Sequence, residues 1–193
     1  MKPGTRALGI AESTDESSGD CVFCGAVVRA DRTVDGIAFA TATVGGLDAT
    51  DAVRDLFEES LREDVQYVVL SGIAPAWFNL LDLDALAAVA QRPVIAVSYE
   101  SSPGLEPALR EHFEGTALTE RLETYDRLPP RQRIEVNGEP LFVRAVDKRE
   151  SSGGPDAARI VRAYTPADGR PEPLRVARVA ARGARSWRVR NDG

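Results

Sequence analysis

Two short runs of apolar strand-forming residues, with a helical stretch between them, constrain this fold more than any other feature of the sequence. The runs cover 65–70 and 93–98, and the helical stretch lies over about 82–90. A strand that returns to the same sheet through a helix usually lies parallel to the strand before it. The sequence therefore predicts an α/β domain with a parallel pair at its centre.

The segment before these runs predicts three more strands and a helix. A buried strand is expected over 6–11, a hairpin of two strands over 21–30 and 34–44, and a helix over about 50–63. This order predicts a mixed sheet, in which an antiparallel hairpin edge is joined to parallel strands by crossover helices. The polar residues 12–20 are expected to form a loop.

The second half predicts surface helices and another hairpin. One or two helices are expected over 103–126, and Asn137-Gly138 indicates a hairpin turn. Helices are expected to begin near Asp156 and at Pro171. A chain of 193 residues fits one domain, 1–193, with a tail over about 186–193 that need not be ordered.

Charge is distributed unevenly along the chain. Residues 170–193 carry a net charge of +5, while residues 1–169 carry −11, which indicates an anionic partner near the C-terminus. The 22 arginines and two lysines on an acidic chain fit a halophilic, high-salt cytoplasm, or else a GC-rich genome that favours arginine codons.

No apolar run approaches the roughly 20 residues that cross a bilayer, and no signal peptide is evident, so we expect a cytoplasmic protein without a membrane partner.

The last predicted helix has two distinct sides. An apolar side of Val176, Val179, Ala180 and Gly183 is expected to pack on the domain. The basic stripe falls within an arc of about 80° and consists of Arg175, Arg178, Arg182 and Arg185. Arginine suits phosphate because its planar fork donates paired hydrogen bonds. The alternative is a solvated face that pairs with acids of the same chain.

The two cysteines, Cys21 and Cys24, have C-x-x-C spacing but few other ligands for zinc. A structural zinc site needs about four ligands, and the one histidine, His112, lies far along the chain and is expected at the surface. On a strand, residues three apart point to opposite faces. We therefore expect two buried structural cysteines.

Acidic residues near the carboxyl ends of the predicted strands are the candidates for catalysis. Active sites of open α/β sheets gather at that edge, and carboxylates there would hold Mg²⁺, which activates water for phosphodiester hydrolysis. The candidates are Glu12, Asp48, Asp51 and Asp156. Helix capping or dipole attraction would explain the last three equally well, and Glu12 could be a solvated loop residue.

Several segments together resemble the archaeal endonuclease V-related family, also called endonuclease dU. They are K-P-G-T-R-A-L-G-I (2–10), V-D-G-I-A (34–38), G-L-D-A-T-D (46–51), V-V-L-S-G-I-A-P-A-W-F-N (68–79), R-P-V-I-A-V (92–97) and P-E-P-L-R-V-A (171–177). The resemblance implies a ribonuclease H-like fold. It also implies DNA repair by metal-dependent cleavage near deaminated bases, deoxyuridine or inosine.

The resemblance assigns roles to the same four acids. Asp48 matches the Asp of the family's D-A-T motif, Asp51 its following acid, Asp156 a late helix-start acid, and Glu12 the second of two strand-end acids. Glu12 and Asp51 would hold the Mg²⁺ or Mn²⁺ ion. Nucleic acid is the implied partner, with DNA expected ahead of RNA. No oligomeric state is implied.

The chain also departs from the family pattern at several positions. Ala11 and Ser71 stand where the family has acids, residues 44–47 lack the hydrophobic wedge of endonuclease V, and Ser98-Tyr99 replace a lysine. The leading hypothesis is an endonuclease. The first alternative is a nucleic-acid-binding protein that kept the fold and lost turnover. The second is a protein-interaction module that uses the Trp77-Phe78 loop.

Overall fold

The computed structural model describes residues 1–15, 19–149, 156–167 and 169–191. Residues 16–18 of the predicted polar loop and 192–193 of the predicted tail lie outside this range. Within it, no helix is both long and apolar enough to cross a membrane. The elements are β1 (Arg6–Asp15), β2 (Asp20–Arg29), β3 (Val34–Thr43), α1 (Ala49–Ser60), β4 (Val65–Ser71), α2 (Pro75–Phe78), α3 (Leu83–Ala90), β5 (Val94–Ser98), α4 (Glu106–His112), α5 (Gly115–Asp126), β6 (Gln132–Val136), β7 (Glu139–Val146), α6 (Ala157–Tyr164) and α7 (Glu172–Asn191).

One seven-stranded sheet organises the described chain, in the order β3-β2-β1-β4-β5-β7-β6. β1, β4 and β5 run parallel, and the β2–β3 hairpin continues the sheet in antiparallel fashion from β1. The predicted mixed sheet is therefore confirmed. The second hairpin completes the other edge, where β7 pairs antiparallel with β5.

β1 is longer than its apolar residues predict. Pairing with β2 continues from Glu12, opposite Phe23, to Asp15, opposite Asp20. The prediction that a loop begins at Glu12 is wrong. The hydrogen bonds between β1 and β2 are made by the backbone. The strand can therefore continue beyond its apolar residues, because polar side chains at the rim of the sheet are only half-buried. As a result, Glu12 and Ala11 point to opposite faces of the sheet.

Each face of the sheet has its own core and its own helices. Helices α1 and α3 cover one face, whose core includes Leu8, Ile10, Leu56, Leu70, Leu86 and Ala96. Helices α6 and α7 cover the other, whose core includes Ala7, Val69, Ile95, Val97, Ile160 and Leu174. Successive side chains of β1, β4 and β5 point to opposite faces of the sheet. Their positions along the strand therefore determine whether they face α1 and α3 or α6 and α7.

Helix α7 packs on the sheet mainly through small residues, with part of the predicted apolar side beside them. Ala177 and Ala181 are fully buried against Ala11, Cys24 and Ala26 of β1 and β2. Val179, by contrast, is 63% exposed and Gly183 is also exposed. Of the predicted apolar side, Val176 and Ala180 pack against this contact and Val179 and Gly183 do not. The centre of the contact is formed by Ala177 and Ala181, because a strand surface made of small residues lets small helix residues approach closely.

The two cysteines lie on opposite faces of β2, as their spacing predicts. Cys21 belongs to the core under α1, and Cys24 to the small-residue contact with α7. Both are buried free thiols. Burial is the main reason that the pKa of each is raised, to about 11 for Cys21 and about 12 for Cys24. They are structural residues, as expected.

Candidate functional site

The carboxyl ends of β1, β4 and β5 meet at one rim of the sheet. Ile10 of β1 aligns with Leu70 of β4, and Ser71 aligns with Val97 of β5. Alternation along β1 directs Glu12 toward the α1 face and Ala11 toward the α7 face. The rim therefore offers two separate surfaces, one under α1 and one beside α7.

Two of the four predicted catalytic acids, Glu12 and Asp48, lie on the α1 side of the sheet. The Thr14 hydroxyl donates to Glu12 Oε2 at 2.7 Å. The negative charges of Glu12 and Asp48 both reach Cys21: after burial, they add to the rise in its pKa, while a hydrogen bond with Thr14 opposes it. The charges of both acids therefore act on the Cys21 thiol.

The carboxylate of Asp48 is already occupied by hydrogen bonds. It accepts from the Thr43 backbone N–H at 3.0 Å, from the Thr43 hydroxyl at 2.8 Å and from Asn79 Nδ2 at 2.6 Å. Burial favours a higher pKa, but the bonds from Asn79 and Thr43 outweigh it and hold the pKa of Asp48 below its ordinary value. Asp48 stands at the N-cap position of α1 without a side-chain cap bond. It ties the end of β3 to the loop after β4.

The other two predicted acids lie elsewhere. The Asp51 side chain is 74% exposed and pairs with Arg54 at 3.4 Å. Asp156 caps α6, on the opposite face of the sheet, where its Oδ1 accepts from the Arg159 N–H at 2.9 Å. Among the described residues, no three His, Cys, Asp or Glu side chains form a group that could hold a metal ion.

Beside this rim, the loop after β4 adopts a strained conformation. Ala76, Trp77 and Phe78 all have positive φ, at 47°, 56° and 60°, which is rare for residues other than glycine. Such backbone persists only where its surroundings hold it in place. Trp77 packs on Phe113 with ring centroids 5.2 Å apart, and it closes on Gly45, where a Cβ would come within 2.7 Å of the indole.

A buried arginine from α5 fixes this loop. Arg121 is 2% exposed, and its guanidinium donates to the carbonyls of Phe78, Gly45 and Gly46 at 3.1, 2.5 and 2.8 Å. It also lies over the Phe113 ring, 3.8 Å from the centroid. Arg121 thereby joins α5, the Gly45-Gly46 turn and the strained loop into one unit.

A cleft of about 320 Å³ opens where β4 and β5 end. Arg131 and Arg144 line it together with Ser98 and Phe142. Arg131 Nη2 donates to Ser98 Oγ at 3.1 Å, and its guanidinium lies 4.0 Å above the Phe142 ring. Burial, followed by the neighbouring charge of Arg144, lowers the pKa of Arg131. The cleft is thus small, partly aromatic and cationic.

The predicted arginine stripe of α7 is divided by its contacts. Arg175 forms a bidentate ion pair with Glu172. Arg185 donates to Ser13 Oγ and to Asp15 Oδ2, each at 3.0 Å. Arg178 and Arg182 are exposed, with no ion pair or hydrogen bond among the residues described. Two of the four predicted contacts are therefore free to meet a ligand.

Several residues that shape this region were missed by sequence reasoning. Asn79 is fully buried, accepts from the Ala49 N–H at 2.9 Å and holds Asp48. Its place at the end of an apolar loop carried no specific signal, and neither did that of Arg121 within α5. Arg144 could have been found, because it alternates with Leu141 and Val143 along β7 and so shares the face of Phe142.

The strand order, the hairpin edge and the helices on both faces define a ribonuclease H-like fold of the endonuclease V type. Endonuclease V of Ciona intestinalis, solved with DNA that contains an inosine followed by a ribo-adenosine, has a TM-score of 0.59 at 16% identity and aligns over 94% of this chain and 86% of its own. At that identity the likeness shows the fold. A protein of unknown function from Archaeoglobus fulgidus has a TM-score of 0.77 at 25% identity, over 93% of this chain and 97% of its own.

The chain belongs to the endonuclease dU family, whose model matches residues 3–185. A UPF0215 protein of Pyrobaculum aerophilum is 35% identical over 184 residues, which cover 93% of this chain and 94% of the relative. Another, from Thermococcus gammatolerans, is 32% identical over 188 residues, which cover 94% and 92%. The family resemblance seen in the sequence is therefore confirmed.

Proposed function

We propose that this protein binds nucleic acid along the sheet face that carries α7. The observation that carries the proposal is the opposite charge of the two faces. Helix α7 has six arginines and one glutamate, and that glutamate is mostly buried, whereas α1 on the other face exposes four acids and one arginine. A polyanion is attracted to the first face and repelled by the second.

The salt dependence of DNA affinity tests the proposal. Replacing Arg178 and Arg182 together by glutamine should lower the slope of log K against log salt by about 2, because each phosphate contact contributes about 0.9. Arg54→Gln with Arg110→Gln removes the same charge from exposed sites on α1 and α4 and should leave the slope unchanged. Equal slopes for wild type and the Arg178/Arg182 variant would contradict the proposal.

A finer proposal is that the bound strand carries a deaminated base, deoxyuridine or inosine. Family membership supports it. Duplexes that differ only in one uracil or inosine should bind more tightly than the undamaged duplex. DNA is proposed ahead of RNA, and an RNA strand of the same sequence serves as the comparison.

Metal-dependent cleavage is the second candidate, favoured by family membership and by the placement of Glu12 and Asp48 on the same side of the sheet. The described residues do not fit a closed Mg²⁺ or Mn²⁺ site. They supply no group of three ligands, and the carboxylate of Asp48 is engaged by Thr43 and Asn79. We therefore expect turnover to be absent or weak.

Incubation of end-labelled uracil and inosine duplexes with Mg²⁺ or Mn²⁺ separates the two candidates. Binding without product supports the first. Product that disappears in Glu12→Gln but persists in Asp51→Ala would favour the second and would show that Asp51 is not a ligand. Failure to bind any nucleic acid would favour instead a protein-interaction module built on the Trp77-Phe78 loop.

A further inference from the structure

The hydroxyl of Tyr99 is a buried polar group without a partner. Tyr99 directly follows β5, and its ring packs against the core on the α6 and α7 face. Its oxygen is shielded from solvent and has no hydrogen-bond partner. Buried hydroxyls are nearly always paired, so an unpaired one calls for an explanation, such as a ligand that completes it.

Two arginines converge on this tyrosine. The Arg170 guanidinium lies over the ring, 4.2 Å from its centroid. Burial raises the pKa of Tyr99 to about 12, and the positive charges of Arg170 and Arg178 act on the same hydroxyl in the opposite direction. The Arg170 guanidinium is close enough to share a ligand with the phenol. Arg178 stands one helical turn beyond Leu174, which belongs to the core that Tyr99 packs against.

Neither arginine is committed to another group within the described part of the chain. Arg170 and Arg178 are both exposed, and neither makes an ion pair or a hydrogen bond there. Among the described residues, the stack on the Tyr99 ring is the contact that Arg170 makes, which leaves its guanidinium donors available to a ligand. Uncharged residues, Ala11 and Ser71, occupy the rim positions of β1 and β4 that face this side.

We propose that Tyr99, Arg170 and Arg178 form a binding site for one phosphodiester group of a nucleic-acid strand. The phenol donates one hydrogen bond, and the arginines donate paired bonds to the remaining phosphate oxygens. The site attracts anions because both of its arginines are positively charged. It deepens the proposed function and rests on it, because it names where on the α7 face the backbone is held.

The position of the site on α7 favours a nucleic-acid strand over a free ion. Arg182 lies four residues beyond Arg178, which is about one helical turn, on the same side of the helix. It is also exposed and uncommitted among the residues described. A strand anchored at Tyr99 can therefore continue along α7 to a second arginine.

Tyrosine-selective NMR tests the site directly. The protein has four tyrosines, so ring ¹³C labelling gives four resolvable environments, and Tyr99→Phe assigns the Tyr99 signal by its loss. The dinucleotide TpT, which carries a single phosphodiester, should move the Tyr99 signal in wild type. It should not do so in the Arg170→Gln, Arg178→Gln double variant.

Inorganic phosphate distinguishes the source of the anion. A shift with TpT supports the site. A shift with inorganic phosphate but not with TpT overturns the assignment to a nucleic-acid backbone. No shift of the Tyr99 signal with either probe overturns the site altogether.

DNA affinity separates failure of this site from failure of the proposed function. Tyr99→Phe should weaken binding roughly 10-fold without changing the salt slope, because it removes a hydrogen bond but no charge. Tyr67→Phe, a change of the same kind on the same face, should bind like wild type. Wild-type affinity in Tyr99→Phe would overturn the site and leave the proposed function standing. A wild type that binds no nucleic acid would contradict both.

Discussion

At the scale of single residues, buried polar side chains hold the loops around the sheet rim. Arg121 satisfies carbonyls from two separate loops, and Asn79 links the start of α1 to Asp48. Buried polar groups stabilise a structure only when all of their partners are present. These residues therefore determine the shape of the rim without touching a ligand.

Replacement of Arg121 by alanine should be among the more destabilising single changes in the chain. It would leave the carbonyls of Gly45, Gly46 and Phe78 without their donor and open a cavity beside Phe113. We expect the free energy of unfolding to fall by about 3 kcal/mol in urea titrations. Arg110→Ala, which removes an exposed pair with Glu106, should cost less than about 1 kcal/mol. Equal effects would contradict the structural role of Arg121.

Asp48 should make stability depend on acid pH. Its folded-state pKa lies below the ordinary value of 3.8, so the contribution is present above that value and is lost as pH falls through the folded pKa. Asp48→Asn lacks this contribution. We therefore expect the stability difference between wild type and Asp48→Asn, measured as urea midpoints, to shrink as pH falls below about 4. Asp51→Asn, at an exposed position, should keep the wild-type pH profile.

The sequence placed some of the candidate site correctly and could not place the rest. It placed Cys21 and Cys24 on opposite faces of one strand, because alternation on a strand is local. It could not show that Asp156 lies across the sheet from Asp48, since that depends on which face each helix covers. Nor could it reveal Tyr99 with Arg170, because that contact joins the end of β5 to the loop before α7.

At the scale of elements, α7 and β1 pack so closely at Gly9 that the position has no room for a side chain. A Cβ on Gly9 would lie 2.3 Å from the Pro173 carbonyl carbon. Backbone cannot yield by that much locally, so α7 itself would have to move. The position of its arginines relative to the rim therefore depends on a glycine in β1.

Gly9→Ala should lower the free energy of unfolding by about 2 kcal/mol or more, as an overpacked contact. Gly4→Ala provides the matched control, since no atom lies within 4 Å of the added methyl group. Thermal or urea unfolding of the two variants measures the difference. If Gly9→Ala were as stable as Gly4→Ala, the close approach of α7 would be contradicted.

The elements were largely predictable, and their contacts were not. Strands with continuous apolar runs, such as β4 and β5, and the Asn137-Gly138 hairpin have strong local signals. The end of β1 was missed because backbone pairing with β2 continues past the apolar residues. The packing side of α7 was predicted only in part, at Val176 and Ala180, because it depends on the small residues of two strands distant in sequence.

At the scale of the whole molecule, stability should increase with salt. The net charge is −6, and the four exposed acids of α1 lie on successive turns of one helix. Salt screens their mutual repulsion because the Debye length falls from about 10 Å at 0.1 M to about 3 Å at 1 M. We expect urea midpoints to rise with KCl over that range, and Asp55→Asn with Glu59→Gln to reduce the rise. Midpoints indifferent to KCl would contradict the halophilic interpretation.

The opposite charges of the α1 and α7 faces give the molecule an electric dipole across the sheet. Such a protein can bind a cation-exchange resin through its α7 face and an anion-exchange resin through its α1 face. At low ionic strength and neutral pH it should therefore be retained on both cation- and anion-exchange columns, despite its acidic isoelectric point near 5.0. The same dipole should align molecules head to tail in dilute buffer, so an apparent size that falls as salt is added would be its signature in scattering experiments.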